Sequence, residues 1–561
     1  MSVSFFLHCI RLACQLRISP LKPISFVYRQ YSDNNAKIVF LQDQDIVYMG
    51  NSLYKKVGLA TLIMTASIFA SRVIGLVREM VIAGIAGATG PVDAYQVSFV
   101  LPEILNHVVA SGFLSITFIP IFSRYLAEGN EAEGWQVFHI ILTGLGSLLL
   151  VLISISIYMA PDLVAIFAPG IDDPIFRAQA VRMTRIILPA QFFFFASGLF
   201  MAVQFAKERF ARPALAPLIY NMGIITGGVF LSPYLGMYGF SWGALTGAFI
   251  SFLVQLTGAR RVGMRLSINW HVRHPDFKTY IFLTLPLMVG ATMMFSTEIF
   301  FRIFGSYLPQ GGIAGINYAL RIMLALSGFF GQAVGIASFP FMSRLAAEKK
   351  TDEMNRLLNN TIRYLAMVIP FAALIMVLRH EIVAILFQRG KFDTAATDLT
   401  AGILMFLMVG AFAFTAQTVV ARAFYARQNT WLPAVFGTIF VAISIPLYIF
   451  AVRIMGANGI ALAISVSVTL QVMLLFSIWN RQNHNKGSVS VYIFLLKTVL
   501  FSILIGLGMA SVRSYLATWI DTATFLGRLV VVTAVSGIFL VKKWWVGYRI
   551  VRNESDNDLW K

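Results

Sequence analysis

Charged residues are scarce in this 561-residue sequence: only 12% are Asp, Glu, Lys or Arg, against about 25% in ordinary soluble domains. Hydrophobic residues make up 58%, and the mean hydropathy is +0.76. A water-soluble protein of this size needs more charged residues on its surface. The composition therefore excludes an ordinary water-soluble protein. It indicates a polytopic membrane protein.

Cysteine is almost absent, since only Cys9 and Cys14 occur. This excludes a disulfide framework or a cysteine metal cluster in the membrane part. There is no Gly-rich nucleotide loop, and His271 and His274 have only Asp276 as a nearby carboxylate. A membrane enzyme needs a catalytic or metal-binding constellation, so we expect no enzyme activity, no metal site and no cofactor.

Long apolar runs recur along the chain. They are too long and too rarely alternating for barrel strands, so we expect an all-α protein whose helices satisfy their own backbone hydrogen bonds. About fourteen transmembrane helices are predicted, at 57–86, 92–122, 136–159, 180–206, 213–231, 237–257, 279–306, 312–343, 359–387, 397–424, 432–452, 456–479, 491–512 and 523–541.

Positive charge, +19 in total, falls mostly on alternate loops. The intervening loops form a Lys/Arg-poor side, with exceptions at Arg389, Lys391, Arg453 and Arg513. By the positive-inside rule both termini are cytoplasmic, which fits an even number of spans. The basic residues therefore favour contact with anionic membrane lipids rather than nucleic acid.

The N-terminal extension, residues 1–53, mixes basic, aromatic and polar residues and lacks the apolar core of a signal peptide. Met49 precedes a natural start for the first helix. Residues 1–48 are therefore either a mis-assigned start with no functional role or a disordered tail.

The sequence repeats itself after about 220 residues. The clearest matches are "PIFSRYLAE" at 120–128 with "PFMSRLAAE" at 340–348, and "FAKERFARPA" at 205–214 with "YARQNTWLPA" at 425–434. Six predicted helices separate equivalent points, so the two halves run parallel, as in transporters built from repeats. We expect the following division: an N-lobe at 54–270, a C-lobe at 271–488, a central cavity between them, two extra helices within 489–545 and a cytoplasmic tail at 546–561.

Charged and polar residues interrupt the first two helices of each half. They are Arg72, Arg78, Glu79, Asp93, Glu103, Asn106 and His107 in the first half, and Glu298, Arg302 and Arg321 in the second. Buried ion pairs are one explanation, for instance between Arg72 and Glu79, which share a helical stripe. The other is a ligand site: a guanidinium stays charged and binds phosphate oxygens through two parallel hydrogen bonds, so Arg72, Arg78 and Arg321 favour a phosphate or pyrophosphate ligand.

Several segments resemble the MurJ/MviN lipid II flippases of the MOP (multidrug, oligosaccharidyl-lipid, polysaccharide) exporter superfamily. They are "SRVIGLVRE", "DAYQVSFVLPEIL", "LRIMLALSG", "FPFMSRLA", "LFQRGKFD" and "FYARQNTWLP". The resemblance implies that a polyprenyl-pyrophosphate-linked disaccharide-peptide, lipid II, crosses the bacterial inner membrane by alternating access in cell-wall synthesis. A flippase for another polyprenyl-pyrophosphate-linked oligosaccharide is the alternative.

The same resemblance assigns roles to positions in this chain. It implies that Arg72, Arg78, Asp93 and Arg321 contact the substrate, and we add Glu79 and Asn106 to the predicted substrate-binding set. The helices at 491–512 and 523–541 would hold the lipid tail, and the cell-wall synthesis machinery is a possible partner. This chain has Asn106 and Ser111, and then Leu324, where many members place an arginine, a glutamate and an acidic residue.

Overall fold

The computed structural model describes residues 43–106, 113–294, 296–427, 429 and 431–554. The chain divides into two units, residues 1–62 and 63–561, and only 43–62 of the first are described. The helices are α1 (Asp43–Ala86), α2 (Gly90–Ser98), α3 (Val100–Leu105), α4 (Phe113–Ala127), α5 (Glu131–Tyr158), α6 (Ala160–Phe167), α7 (Pro174–Ile187), α8 (Ala190–Ala206), α9 (Ala211–Leu235), α10 (Tyr238–Arg261), α11 (Pro275–Met294), α12 (Ser296–Gly305), α13 (Gly312–Ser327), α14 (Ala333–Ala347), α15 (Thr351–Leu365), α16 (Val368–Val377), α17 (Arg379–Phe387), α18 (Thr394–Val409), α19 (Ala411–Ala426), α20 (Trp431–Gln482), α21 (Ser488–Trp519) and α22 (Phe525–Glu554). A π-helical turn, Gly328–Gln332, joins α13 to α14.

The all-α membrane architecture is confirmed, but the helices are more broken than the sequence predicts. Eight described helices, counting those that run on through a short break, are long and apolar enough to cross a membrane, and the bent pair α18 and α19 would make nine. The predicted span 279–306, for example, is divided between α11 and α12. The number fourteen therefore stays a prediction.

The repeat is confirmed by the helix boundaries. Helices α4 and α14 end 220 residues apart, at Ala127 and Ala347, and each contains an internal proline at the equivalent position, Pro120 and Pro340. Equivalent turns also match: Gly236, between α9 and α10, and Gly456, inside α20, both have φ of 55°, so α20 consists of two helices that meet at Gly456. Only glycine adopts this conformation readily, so the same chain reversal is encoded twice.

Four apolar clusters form the core of the described residues. One lies within 101–281 and joins the first half to the start of α11, and a second lies within 342–491, in the second half. The largest draws side chains from both halves, between Ile82 and Ile464. In the fourth, α21 and α22 contact α16. The extra helices therefore attach to the second half, while the predicted lobe boundaries stay a prediction.

A contact at one end of α11 joins the repeated motif of the first half to the start of the second. Arg124 Nη2 donates to Asp276 Oδ2 at 2.6 Å, and the Tyr125 hydroxyl donates to the same oxygen. Although partial burial opposes the effect, these two hydrogen bonds lower the pKa of the Asp276 carboxyl. The carboxylate therefore stays charged and keeps both partners at neutral pH.

A bidentate ion pair connects the halves deeper in the membrane. Arg302, whose side chain is 1% exposed, donates from both terminal nitrogens to the Glu103 carboxylate, with Nη2 3.1 Å from Oε1. The explanation by pairing that the sequence offered for these two residues is thus confirmed. A buried charge without its partner is costly, so each residue requires the other.

We expect Arg302→Ala to lower the free energy of unfolding by on the order of 1 to 3 kcal/mol, because it leaves the Glu103 carboxylate, which is 27% exposed, without its partner. Replacing both residues with leucine should recover most of that loss. Denaturant unfolding of the purified protein measures both values, with Arg356→Ala, at an exposed position, as the control. A double variant as unstable as the single one would contradict this role.

Candidate functional site

The three predicted arginines meet in one cavity between the two halves, with a volume of about 390 Å³. Helix α1 supplies Arg72 and Arg78, and α13 supplies Arg321. The remaining lining residues are Ser71, Gly75, Leu76, Asn221, Leu324, Ala325, Ser327, Gly328, Gly331, Phe414, Thr415 and Thr418. Because this wall combines guanidinium groups with hydroxyl and amide groups, it can bind an anion.

Glu79 organises the arginines from behind the cavity wall. It is 1% exposed, and its Oε1 accepts from Arg78 Nη2 at 2.5 Å and lies 3.7 Å from Arg321 Nε. Its other oxygen accepts from Asn317 Nδ2 at 3.0 Å. One buried carboxylate thus joins α1 of the first half to α13 of the second.

Arg78 has a second partner, on α9. Its Nη1 donates to Asn221 Oδ1 at 3.0 Å, and Asn221 in turn donates from Nδ2 to the Pro217 carbonyl at 2.9 Å. The guanidinium is therefore held on both sides. These two contacts fix the orientation of the guanidinium, as a preorganised anion site requires.

Arg72 differs from the other two because its guanidinium is largely free. Its contact in the described structure is a long one, from Nη1 to the Leu324 carbonyl at 3.5 Å, and it has no carboxylate partner among the described residues. The guanidinium lies directly against Gly328, where an added Cβ would be 1.6 Å from Arg72 Nη1. The predicted alternative, a pair of Arg72 with Glu79, is therefore not what the structure shows.

The charge balance of the cavity is positive. Three arginines line the wall, and among the described residues Glu79 is the one carboxylate that contacts them. In a low-dielectric surrounding such a surplus attracts an anion strongly and disfavours a cation. The site thus suits a ligand with about two negative charges.

Asp93 lies outside this cavity, at the other end of α13. Its carboxylate accepts from the backbone amides of Gly311 and Ala314, at 2.6 and 2.7 Å. These are unpaired donors at the start of a helix, where a negative charge is also favoured by the helix dipole. A substrate contact by Asp93 stays a prediction, but its observed role is to attach α2 to α13.

Three further hydrogen bonds join the two halves on the same Lys/Arg-poor side. They run from the Tyr318 hydroxyl to the Gly87 carbonyl at 2.9 Å, from the Lys391 amide to the Gly84 carbonyl at 2.9 Å and from the Gly170 amide to Ser306 Oγ at 3.0 Å. Together with the Asp93 contacts they close this end of the seam between the halves.

Asn106, the last predicted site residue, is half-buried at the end of α3 and does not line the cavity. His107 and Ser111 lie outside the described residues. Asn221 and Arg422 were not predicted from the sequence, although each interrupts a largely apolar helix. Arg422 Nη1 is buried without a hydrogen-bond partner among the described residues and lies close to Gly335.

Solved structures share this fold. One, titled "Lipid II flippase MurJ, inward closed conformation", superposes with a TM-score of 0.72 at 23% identity, covering 87% of this chain and 99% of that chain. Another, an inward-facing multidrug resistance MATE family transporter of the MOP superfamily, gives 0.62 at 14% identity, covering 74% and 94%. The fold, with its cavity between the two halves, defines the class: a multi-pass, all-α membrane protein with the architecture of these two structures.

Sequence comparison identifies the family within that class. The family model described as "Lipid II flippase MurJ" matches residues 82–530, so the chain belongs to this family. The lipid II flippase MurJ of Burkholderia cenocepacia is 29% identical over 72% of this chain and 80% of its own length. The probable lipid II flippase MurJ of Vibrio cholerae is 26% identical over 83% and 90%.

The contacts of Glu79 predict which pairs of residues are energetically coupled. In a double-mutant cycle, Glu79→Gln and Arg78→Gln should deviate from additivity by about 0.5 to 3 kcal/mol, because the two side chains are in contact. Glu79→Gln and Arg72→Gln should be additive within about 0.5 kcal/mol. Denaturant unfolding gives all the values, and equal coupling in both cycles would contradict the observed pairing.

Proposed function

We propose that this protein is a lipid II flippase, which moves the polyprenyl-pyrophosphate-linked disaccharide-peptide across the membrane by alternating access. One observation carries the proposal: Arg72, Arg78 and Arg321 share a cavity between the halves, and Glu79 is the one carboxylate among the described residues that contacts them. A pyrophosphate matches this surplus of charge. The names of the family and of the relatives support the same substrate.

The arginines would act unequally on the pyrophosphate. Arg72 offers a nearly free guanidinium, so it can bind phosphate oxygens as a bidentate donor without first losing an ion pair. Arg78 and Arg321 share Glu79, which holds them in place when no ligand is bound. A bound phosphate would compete with Glu79 for Arg321, whose contact with that carboxylate is the longer one.

Other activities fit the cavity less well. A drug or cation antiporter, as in the multidrug transporters of the same fold, would require an acidic cavity rather than three arginines. A flippase for a different polyprenyl-linked oligosaccharide would need the same phosphate contacts, but the names of the relatives do not favour it. We therefore propose that the site belongs to a transporter and not to an enzyme.

The basic loops suggest the orientation. With both termini in the cytoplasm, the Lys/Arg-poor side that Asp93 helps to close faces outward, and the protein lies in the bacterial inner membrane. Exposed apolar side chains of α21, such as Leu496 and Leu500, would receive the isoprenoid tail. Membrane lipids, lipid II and the cell-wall synthesis machinery are the proposed partners.

Alanine at Arg72 should reduce flipping of lipid II without preventing membrane insertion. It removes a charge-assisted contact worth roughly 1.5 to 3 kcal/mol, on the order of ten- to a hundredfold in affinity. Lysine should restore activity only in part, because it keeps the charge but loses the two parallel hydrogen bonds. The measurement is transport of lipid II into vesicles at matched protein abundance.

Two further variants complete this test. Arg321→Ala should also reduce flipping, whereas Arg356→Ala, outside the cavity and exposed, should not. If Arg72→Ala and Arg321→Ala both flip lipid II at the rate of the unaltered protein, the arginines do not bind the substrate. Loss of flipping in Arg356→Ala as well would mean that the assay reports general damage.

The Asp93 contacts predict how the outward side opens. Asp93→Ala removes the acceptor for two amides of α13 and should destabilise the closed end, by about 0.5 to 2 kcal/mol on the scale of helix caps. In a variant with serine at both native cysteines and Thr418→Cys in the cavity wall, an impermeant thiol reagent added outside should react faster after Asp93→Ala. Unchanged labelling would show that Asp93 does not hold this end closed.

A further inference from the structure

A second arginine cluster lies on the Lys/Arg-poor side, away from the central cavity. Arg379 at the start of α17, Arg513 on α21 and Arg528 on α22 surround a cavity of about 330 Å³. The other lining residues are His380, Glu381, Ala384, Gln388, Thr394, Thr397, Asp398 and Thr522. The site thus forms where the extra helices meet the second half, and its Arg513 is one of the exceptions to the charge pattern of the loops.

The acids at this site balance only part of its positive charge. Arg513 donates from Nε and Nη2 to Glu381 Oε1, both at 2.7 Å, and Asp398 Oδ1 lies 3.2 Å from His380 Nδ1. Arg379 and Arg528 have neutral partners instead. These are the Met376 carbonyl at 2.9 Å for Arg379, and Gln388 Oε1 and the Thr522 carbonyl, both at 2.7 Å, for Arg528.

Glu381 adds an unused acceptor. It is 4% exposed, and its second oxygen, Oε2, is buried without a hydrogen-bond partner among the described residues. An unpaired buried carboxylate oxygen is costly. A ligand with a hydroxyl or ammonium group next to its negative charge would satisfy this oxygen as well as the arginines.

The surroundings match the headgroup layer of a membrane. Tyr515 and Trp519, at the end of α21, are 64% and 76% exposed, and such aromatic residues concentrate at membrane interfaces. Towards the membrane centre, α21 and α22 present Leu504, Leu507 and Leu529, which are 68%, 63% and 43% exposed. A molecule with its phosphate in this cavity could therefore lay an acyl chain along these helices.

We propose that this cavity binds the phosphate group of a lipid headgroup in the leaflet on the Lys/Arg-poor side. Arg379 and Arg528 contact the phosphate, Glu381 Oε2 accepts from a headgroup donor, and α21 and α22 contact the chains. The same phosphate chemistry could come from a phospholipid, from free phosphate or from the lipid-linked substrate of the proposed function. A phospholipid fits the arginines, the unpaired Glu381 oxygen and the exposed leucines. Its binding does not depend on whether the protein is a lipid II flippase.

Native mass spectrometry of the purified full-length protein tests the proposal. Dioleoyl phosphatidylglycerol is titrated against dioleoylglycerol, which has the same chains but no phosphate. We expect Arg379→Gln and Arg528→Gln each to weaken binding of the phospholipid about tenfold or more, the effect of losing one charge-assisted contact. Arg528→Lys should weaken it less. Dioleoylglycerol binding should not change.

The control is Arg453→Gln, an exposed arginine that does not line this cavity, which should bind the phospholipid normally. Elution profile and unfolding temperature verify that each variant is folded.

The proposal is overturned if the two cavity variants bind phosphatidylglycerol normally, or if they lose dioleoylglycerol binding to the same extent. Displacement of the lipid by millimolar inorganic phosphate would assign the site to free phosphate, and displacement by lipid II at equal concentration would assign it to the substrate. Because no transport is measured, the result is separate from the flippase test.

Discussion

The buried carboxylate of Glu79 is the constraint on which the central site depends. A charge in the membrane interior must have partners, and Glu79 has three: Arg78 beside it on α1, and Asn317 and Arg321 on α13. The pairing fixes α1 against α13 and turns two arginines towards one cavity. The halves of the protein therefore meet at a point where charge, rather than apolar packing alone, sets their register.

The repeat explains why such a seam exists. Equivalent helices of the two halves, such as α4 and α14, contain an internal proline at the equivalent position and end at equivalent residues, so the same local helix shape is used twice. The contacts across the seam are not repeated, however. Asp93 has backbone amides as partners and Glu103 has Arg302. Hydrogen bonds to main-chain amides require no matching side chain and can break and re-form as the halves move, whereas separation of a bidentate buried ion pair is costly.

The two arginine clusters differ in how their charges are held. In the central cavity Arg72 has no carboxylate partner in the described structure, and the remaining arginines share one. In the cavity at α17, α21 and α22, Arg513 has a close carboxylate partner, while Arg379 and Arg528 contact neutral acceptors. Both sites carry surplus positive charge at a junction between packed elements. A phosphate group is the ligand that we propose for both.

The sequence by itself determined the membrane class and the helical repeat, because hydropathy and helical periodicity are local properties of the chain. It also predicted Arg72, Arg78 and Arg321 as site residues, but their meeting in one cavity depends on the packing of α1 against α13. Only the tertiary structure decided the partners. Arg72 and Glu79 share a stripe but lie about 10 Å apart along the helix axis, and the carboxylate instead contacts Asn317, some 240 residues away. Likewise, only the tertiary structure shows that Asp93 accepts hydrogen bonds from the amides at the start of α13. Periodicity shows which face of a helix a residue occupies, but the neighbouring helix that supplies its partner is set by packing.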